Sequence, residues 1–260
     1  MDELTKLREN LEICDEVIID TLRMRYQIVE EITVFKQQHG LSIVHLNEDE
    51  RKRQFALKKL VNNKYQEDIL KVYDYIRYRS KKIQSANVFD YNIFLIGFMG
   101  VGKSTISSTL NDIFAMDVIE MDEIIAKRNG MSISEIFEIH GEEYFRNEET
   151  KLLIESQSSK NKIISCGGGV PMREENVREM KKNGKIILLT ARPETILSRV
   201  ADSHDRPLIE NNKNVNYIGD LMEKRRAKYE AAADVIIQTD GKSAVQICEE
   251  IIASAKNQPQ

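Results

Sequence analysis

A chain of 260 residues, 41% hydrophobic and 31% charged, is long enough for one large domain or two ordinary ones with a real core. Its formal net charge of -4 at pH 7 argues against a nucleic-acid partner, which calls for a basic excess. The three cysteines (Cys14, Cys166, Cys248) are scattered and odd in number, and no apolar run suits a signal peptide or approaches the roughly 18 residues needed to cross a bilayer. The expectation is a cytoplasmic protein with no membrane partner, no disulfide framework and no zinc motif.

From Leu4 to about Gln84 there is no proline and a single glycine, Gly40. Apolar residues recur at helical spacing: Leu4, Leu7, Leu11, Cys14, Ile18, then Ile28, Ile32, Phe35. A second stripe runs Ile69, Val72, Tyr73, Ile76, Ile83. The spacing predicts a long helix over about 3–38, a loop around Gly40, a short helix over about 48–61 and a third over about 65–86. A long helix with an exposed stripe is not stable alone, so it packs on another helix or another chain. Arg25 stands on the face shared by Leu4, Leu11, Ile18 and Ile32, where a charge costs several kcal/mol unless it is paired or holds an anion. Lys36 lies about three turns further on, Ser80 interrupts the stripe of the third helix, and Gln84 follows one turn later. Together these polar groups can line a pocket within a helical bundle.

After about Ser85 the pattern changes. Short apolar runs at Asn92–Ile96, Asp117–Ile119, Lys162–Ser165, Lys185–Leu189 and Val235–Ile237 alternate with helical stretches and glycine-bearing turns. This is the βαβ alternation of a doubly wound α/β domain with five parallel strands. The predicted organisation is an all-α three-helix domain over 1–86, a linker over 87–90 and the α/β domain over 91–260.

The strongest motif is Gly97-Phe-Met-Gly100-Val-Gly102-Lys103-Ser104-Thr105. Phosphate oxygens need many donors at once, and backbone N–H groups supply them only where glycines let the chain curl and a helix N-terminus follows. A strand precedes this loop and a helical run follows, which identifies it as a P-loop for a nucleoside triphosphate. Lys103 is expected to reach the β- and γ-phosphates, and the Ser104 hydroxyl to ligate Mg²⁺. Glu120 and Asp122 place carboxylates at the C-terminal edge of the neighbouring strand. Gly167-Gly168-Gly169 would bring bare backbone close to a ligand, and Arg146 is a fork donor suited to a carboxylate. Arg206 sits in a polar stretch, Asp202–Asn216, long enough to form a lid. A P-loop alone does not name the phosphoryl acceptor; sugar acids such as gluconate and nucleoside monophosphates are the competing acceptors.

Over residues 91–256 the sequence resembles the shikimate kinase family. The resemblance is carried by the P-loop, Ile119–Asp122, Ser132–Phe137, Gly141–Arg146 with Glu149, the glycine triplet, Arg206-Pro-Leu, and Arg225–Tyr229 with Ala233-Asp234. It implies ATP with Mg²⁺, and a shikimate carboxylate held by Arg146 and Arg225. It further implies that Asp122 and the Gly168 backbone hold the substrate hydroxyls, with Asp122 as candidate general base. Arg199 then stacks on adenine and Arg206 stabilises charge on the moving phosphoryl group. Glutamate at position 120, where the family usually has aspartate, points to altered metal affinity.

Residues 3–86 resemble the all-helical chorismate mutase family through Leu7-Arg8 with Asp15, Arg25, Lys36, the Glu48–Arg53 segment, and Ser80 with Gln84. The resemblance implies cofactor-free rearrangement of chorismate to prephenate, with Arg8 and Arg25 on the two carboxylates and Lys36 and Gln84 on the ether oxygen. Arg8 and Arg25 lie about 25 Å apart along one helix, too far for one chorismate. If both touch one ligand, Arg8 comes from a second chain, and the mutase is a homodimer built through its N-terminal helices. The family's Arg-Glu pair on the second helix has two candidate positions here, Arg51-Lys52 or Arg53-Gln54, and periodicity does not set the register. A working mutase, a sensor for prephenate or chorismate that modulates the kinase, and a plain dimerising arm therefore remain three readings of this third of the chain.

Overall fold

The computed structural model describes residues 2–41, 46–200 and 214–256. The chain divides into two compact units, Met1–Val88 and Phe89–Gln260.

The first unit contains α1 (Glu3–Gln38), α2 (Leu46–Lys59) and α3 (Gln66–Val88). The α1–α3 seam is polar at its centre: Thr33, Ser80 and Ser85 are its buried residues. Each hydroxyl satisfies itself locally, Thr33 Oγ1 donating to the Val29 carbonyl (2.8 Å) and Ser80 Oγ to the Ile76 carbonyl (2.8 Å). An ion network fastens α2 to α3, with Asp49 accepting from Arg77 (2.8 Å) and Lys81 (2.5 Å). Burial resists ionisation of Asp49, yet Lys81 and Arg77 together hold its carboxyl below the usual range.

The apolar stripe read from the sequence is not the face that packs on α3. Leu11 and Ile18 are 62% and 54% exposed, and Leu4, Leu7, Ile28, Ile32 and Phe35 are exposed with them. The half-buried positions of α1 are instead Leu22, Arg25, Tyr26, Val29, Lys36 and Gln37 around the buried Thr33. Arg25 thus turns toward α3 and away from Ile18 and Ile32. Periodicity located an apolar face but could not say what it meets, because polar seams leave no hydropathy signal.

The second unit carries a five-stranded, wholly parallel sheet in the order β2-β3-β1-β4-β5. Its strands are β1 (Asn92–Ile96), β2 (Asp117–Glu120), β3 (Lys162–Ser165), β4 (Gly184–Thr190) and β5 (Val235–Gln238). Continuous apolar runs make the central strands buried on both faces, as a sheet covered by helices on both sides requires. One face bears Phe94, Ile96, Ile164, Cys166, Ile186 and Leu188. These pack against α5 (Met121–Asn129), α6 (Ile133–Ser156), α7 (Glu174–Asn183) and α9 (Val215–Ala232), while α8 (Pro193–Val200) follows β4 in the chain. The alternate residues of β1, β3 and β4 face α4 (Lys103–Phe114) and α10 (Ala244–Lys256) on the other side. Each fully buried Ile, Leu or Phe contributes about 1.5–3 kcal/mol. At the sheet's far edge, Asp234 pairs with Ile186 in both directions, accepting from its N–H (2.8 Å) and donating its own N–H to the Ile186 carbonyl (2.8 Å).

The chain builds one side of the sheet through β2 and β3, then crosses to the other through β4 and β5. The switch falls at the carboxyl end of β1, where open α/β sheets bind ligands. A second device aims residues at that crevice. Helix α6 starts with a full capping box, Ser132 with Glu135, and is broken at Gly141 (φ 81°, ψ 166°). That conformation suits glycine alone. The helix restarts beyond it and carries Arg146 and Glu149.

Candidate active site

The loop after β1 opens with Gly97 at φ 144°, where a Cβ would run into the Leu189 carbonyl oxygen of β4. Only glycine lets the loop curl this close to its neighbouring strand. Helix α4 then begins at Lys103 with Gly102 as its N-cap and no side chain capping it, so its N-terminal backbone and dipole face the crevice. Lys103 Nζ arches back over the loop, donating to the Gly97 (3.0 Å) and Phe98 (3.3 Å) carbonyls. These elements wall a cavity of about 620 Å³ lined by Gly100–Ile106, Glu120, Asp122, Arg199 and Lys242 among others. Arg199 Nη1 donates to the Val101 carbonyl (2.9 Å) and the Thr239 hydroxyl (3.1 Å), which fixes it at the edge of the cavity beside the loop. The hydroxyl of Ser104 donates to Glu120 Oε2 (3.1 Å). A hydroxyl with two carboxylates nearby, Glu120 and Asp122, is a hard-oxygen set that fits Mg²⁺ held mainly by phosphates and water.

A second cluster adjoins the cavity. Arg146 Nη1 donates to Glu149 Oε2 (2.8 Å), and its other arm reaches Glu142 Oε1 (2.9 Å). Glu149 is fully buried, and its Oε1 has no hydrogen-bond partner among the described residues. Burial pushes its carboxyl up to about 7; Arg146 pulls the other way and Asp122 adds to the rise. A raised folded-state value favours the fold below the usual carboxylate range, an advantage lost as pH climbs through about 7. The glycine triplet lies against this cluster. A Cβ on Gly167 would sit 2.6 Å from Glu149 Oε1 and 2.9 Å from Asp122 Oδ1, and one on Gly169 would collide with the Arg146 guanidinium. A Cβ on Gly168 would lie 3.5 Å from Arg225 Nη1 and from Tyr229 Oη, and that phenol donates to the Gly168 carbonyl (2.7 Å). Arg146, Glu149, Asp122, Arg225 and the triplet therefore converge, and Asp122 belongs to both the cavity and the cluster. Burial pushes the Cys166 thiol well up, so this cysteine is packing.

Sequence reasoning gave no role to Tyr229, Glu142, Thr239 or Ser107. Tyr229 reads as a core residue near the end of its helix, and it is one, with only its hydroxyl turned to the triplet. Ser107 sits in a helix interior, where a serine carries no motif signal. Arg206 lies outside the described residues, as does most of the Asp202–Asn216 stretch.

In the first unit, Arg25 Nη1 donates to Ser80 Oγ across the α1–α3 seam. Lys36 and Gln84 are half-buried, one on each of the same two helices. Burial lowers the Lys36 ammonium's pKa; nearby Lys52 adds to the lowering and Glu48 opposes it. Helix α2 thus presents Glu48 and Lys52 toward Lys36. Arg51 is 75% exposed and bonds to Glu48 (2.6 Å), and Gln54 bonds outward to Glu50 (2.7 Å). Of the two candidate pairs, only Lys52 of Arg51-Lys52 lies near Lys36, as a cation rather than a carboxylate. Arg8 is exposed in the first turns of α1.

A parallel sheet with a P-loop at its switch point, next to an arginine–carboxylate cluster, defines a P-loop phosphotransferase for a small anionic acceptor. The shikimate kinase family model matches residues 99–256. The shikimate kinase of Caldanaerobacter subterraneus subsp. tengcongensis is 41% identical over 161 residues, 62% of this chain and 94% of the relative. That of Persephonella marina is likewise 41% identical, over 62% and 96%. Among solved structures, shikimate kinase from Acinetobacter baumannii in complex with shikimate superposes with a TM-score of 0.60 at 30% identity, covering 65% of this chain and 96% of that one. The Aquifex aeolicus shikimate kinase gives 0.55 at 37% identity, over 63% and 95%. The chain belongs to the shikimate kinase family. Among the described residues no helix is long and apolar enough to cross a membrane.

Proposed function

We propose that the second unit transfers the γ-phosphoryl group of ATP to the 3-hydroxyl of shikimate, with the site residues acting as follows. Gly97, Gly100, Gly102, Lys103, Ser104 and Thr105 cradle the triphosphate, and Arg199 packs on the adenine. Arg146 and Arg225 bind the shikimate carboxylate; Glu149 orients Arg146, and the triplet lets the ring lie against bare backbone. The acceptor oxygen attacks the γ-phosphorus, the bond to the β-phosphate oxygen breaks, and Asp122 takes the hydroxyl proton. Mg²⁺, held at Ser104 with help from Glu120 and Asp122, supplies charge neutralisation on the phosphates. The observation that carries this reading is the position of Asp122, on the wall of the phosphate cavity and 2.9 Å from the Cβ position of Gly167 in the acceptor cluster. Arg225→Ala tests the assignment. Losing one charged partner of a buried carboxylate costs about 2 kcal/mol or more, so shikimate Kd in calorimetry rises about 30-fold with ATP affinity unchanged. An unchanged shikimate Kd removes Arg225 from the site.

For the first unit we propose chorismate mutase activity in a homodimer. Arg25 and Ser80, bonded across the seam that also carries Lys36 and Gln84, support this reading. The uncovered stripe Leu4, Leu7, Leu11 and Ile18 supports the dimer, since a second copy would cover it and deliver its own Arg8. This rearrangement needs the folded conformer held in place and cations set where negative charge grows, and no cofactor. The intact chain is expected to consume chorismate absorbance at a rate that Arg25→Ala lowers at least 100-fold. No loss, with prephenate still bound, makes the unit a sensor; neither loss nor binding leaves a dimerising arm.

A further inference from the structure

Glu120 is held at both carboxylate oxygens by hydroxyls from one helix. Ser104 Oγ donates to Oε2 (3.1 Å) and Ser107 Oγ to Oε1 (2.5 Å). Ser104 and Ser107 are three residues apart on α4 and so share a face. Ser104 lines the cavity, whereas Ser107 is 1% exposed and is not part of its wall.

A serine that ligates a cation through its oxygen must send its hydrogen elsewhere, or the O–H dipole opposes the metal. Glu120 Oε2 is the acceptor that takes it. A glutamate has three rotatable side-chain bonds, and one hydrogen bond does not hold its carboxylate in place. The second bond, from a buried residue on a rigid helix, does. Ser107 has one proton and two acceptors in reach, Glu120 Oε1 and the Ser104 carbonyl (3.0 Å). The shorter, charge-assisted contact with the carboxylate is the stronger. We infer that Ser107 is a positioning residue for the metal–nucleotide complex: it fixes Glu120, and Glu120 fixes the proton of Ser104 so that the hydroxyl oxygen faces the cation. Outer partners of this kind orient a ligand without touching the metal. The inference rests on Ser104 being the metal ligand.

The test is Mn²⁺ binding to the full chain saturated with ADP, read from the paramagnetic resonance signal of free Mn²⁺. Calorimetry of ADP without divalent cation and the thermal midpoint serve as controls. Ser107→Ala is expected to weaken Mn²⁺ binding about tenfold or more and to leave metal-free ADP affinity within about twofold. Ser107→Thr, which keeps the hydroxyl, recovers most of the loss. In a Glu120→Ala background, Ser107→Ala costs nothing further, because its effect runs through the carboxylate. A serine that merely back-bonds to its own helix would move the thermal midpoint and none of the metal readings. Wild-type Mn²⁺ affinity in Ser107→Ala, with loss in Ser104→Ala, overturns the positioning role. Wild-type affinity in Ser104→Ala overturns the metal assignment itself and the inference with it.

Discussion

Lys103→Ala is expected to lower kcat/KM for ATP about 10³-fold while the chain stays folded. In the proposed reaction the ammonium meets the β- and γ-phosphates, and removing one preorganised charge at a transferring phosphoryl group costs about 4 kcal/mol. The fold survives because Nζ bonds to carbonyls of its own loop, Gly97 and Phe98. The loop's shape comes from its glycines and from packing of Val101 and Ile106. Steady-state kinetics with a circular-dichroism control decides the matter. A loss confined to KM for ATP would mean that Lys103 binds ground-state phosphate and adds nothing in the transition state.

Asp122→Asn is expected to lower kcat by about 10²–10⁴ with shikimate KM changed less than tenfold. The amide keeps the size of the side chain and can still hydrogen-bond a hydroxyl, but it cannot take the proton. Its position between the phosphate cavity and the Arg146–Glu149 cluster makes it the carboxylate best placed to meet an acceptor hydroxyl directed at the γ-phosphate. Glu149, although close, is already paired with Arg146. A raised KM with unchanged kcat would reduce Asp122 to a binding residue. A pH–rate profile adds a check, since the acidic limb set by the base should disappear in Asp122→Asn.

The α/β unit was legible because its signals are local. The glycines and lysine of the P-loop sit on one strand–turn–helix, and the apolar runs of β1 and β3 begin and end where the sequence placed them. Arg146, Glu149 and the triplet were also legible, as types of residue in a certain order. Their convergence was not, since it depends on the break at Gly141 and on the approach of α9 through Tyr229. Ser107 was silent for the same reason: its meaning lies in a neighbour thirteen positions away on another element.

The helical unit shows the reverse balance. Helix positions followed from periodicity, but the identity of the packed face did not. The seam around Thr33, Ser80 and Ser85 is polar, and the conspicuous apolar stripe of α1 is exposed rather than packed on α3. The register of α2 depends on Asp49 being claimed by Arg77 and Lys81, which turns Glu48 and Lys52 toward Lys36 and leaves Arg51 outside. Ion pairs between helices decide such a rotation, and no single stretch of sequence contains them.

The measurement that tests the central claim most directly is ADP release by the purified full chain with MgATP and a panel of acceptors: shikimate, gluconate and nucleoside monophosphates. An acceptor site built of two arginines, a buried glutamate and bare glycine backbone predicts release with shikimate at least 10²-fold faster than with any other acceptor. Release with gluconate or a nucleotide, and none with shikimate, would contradict the assignment of the cluster as a shikimate site.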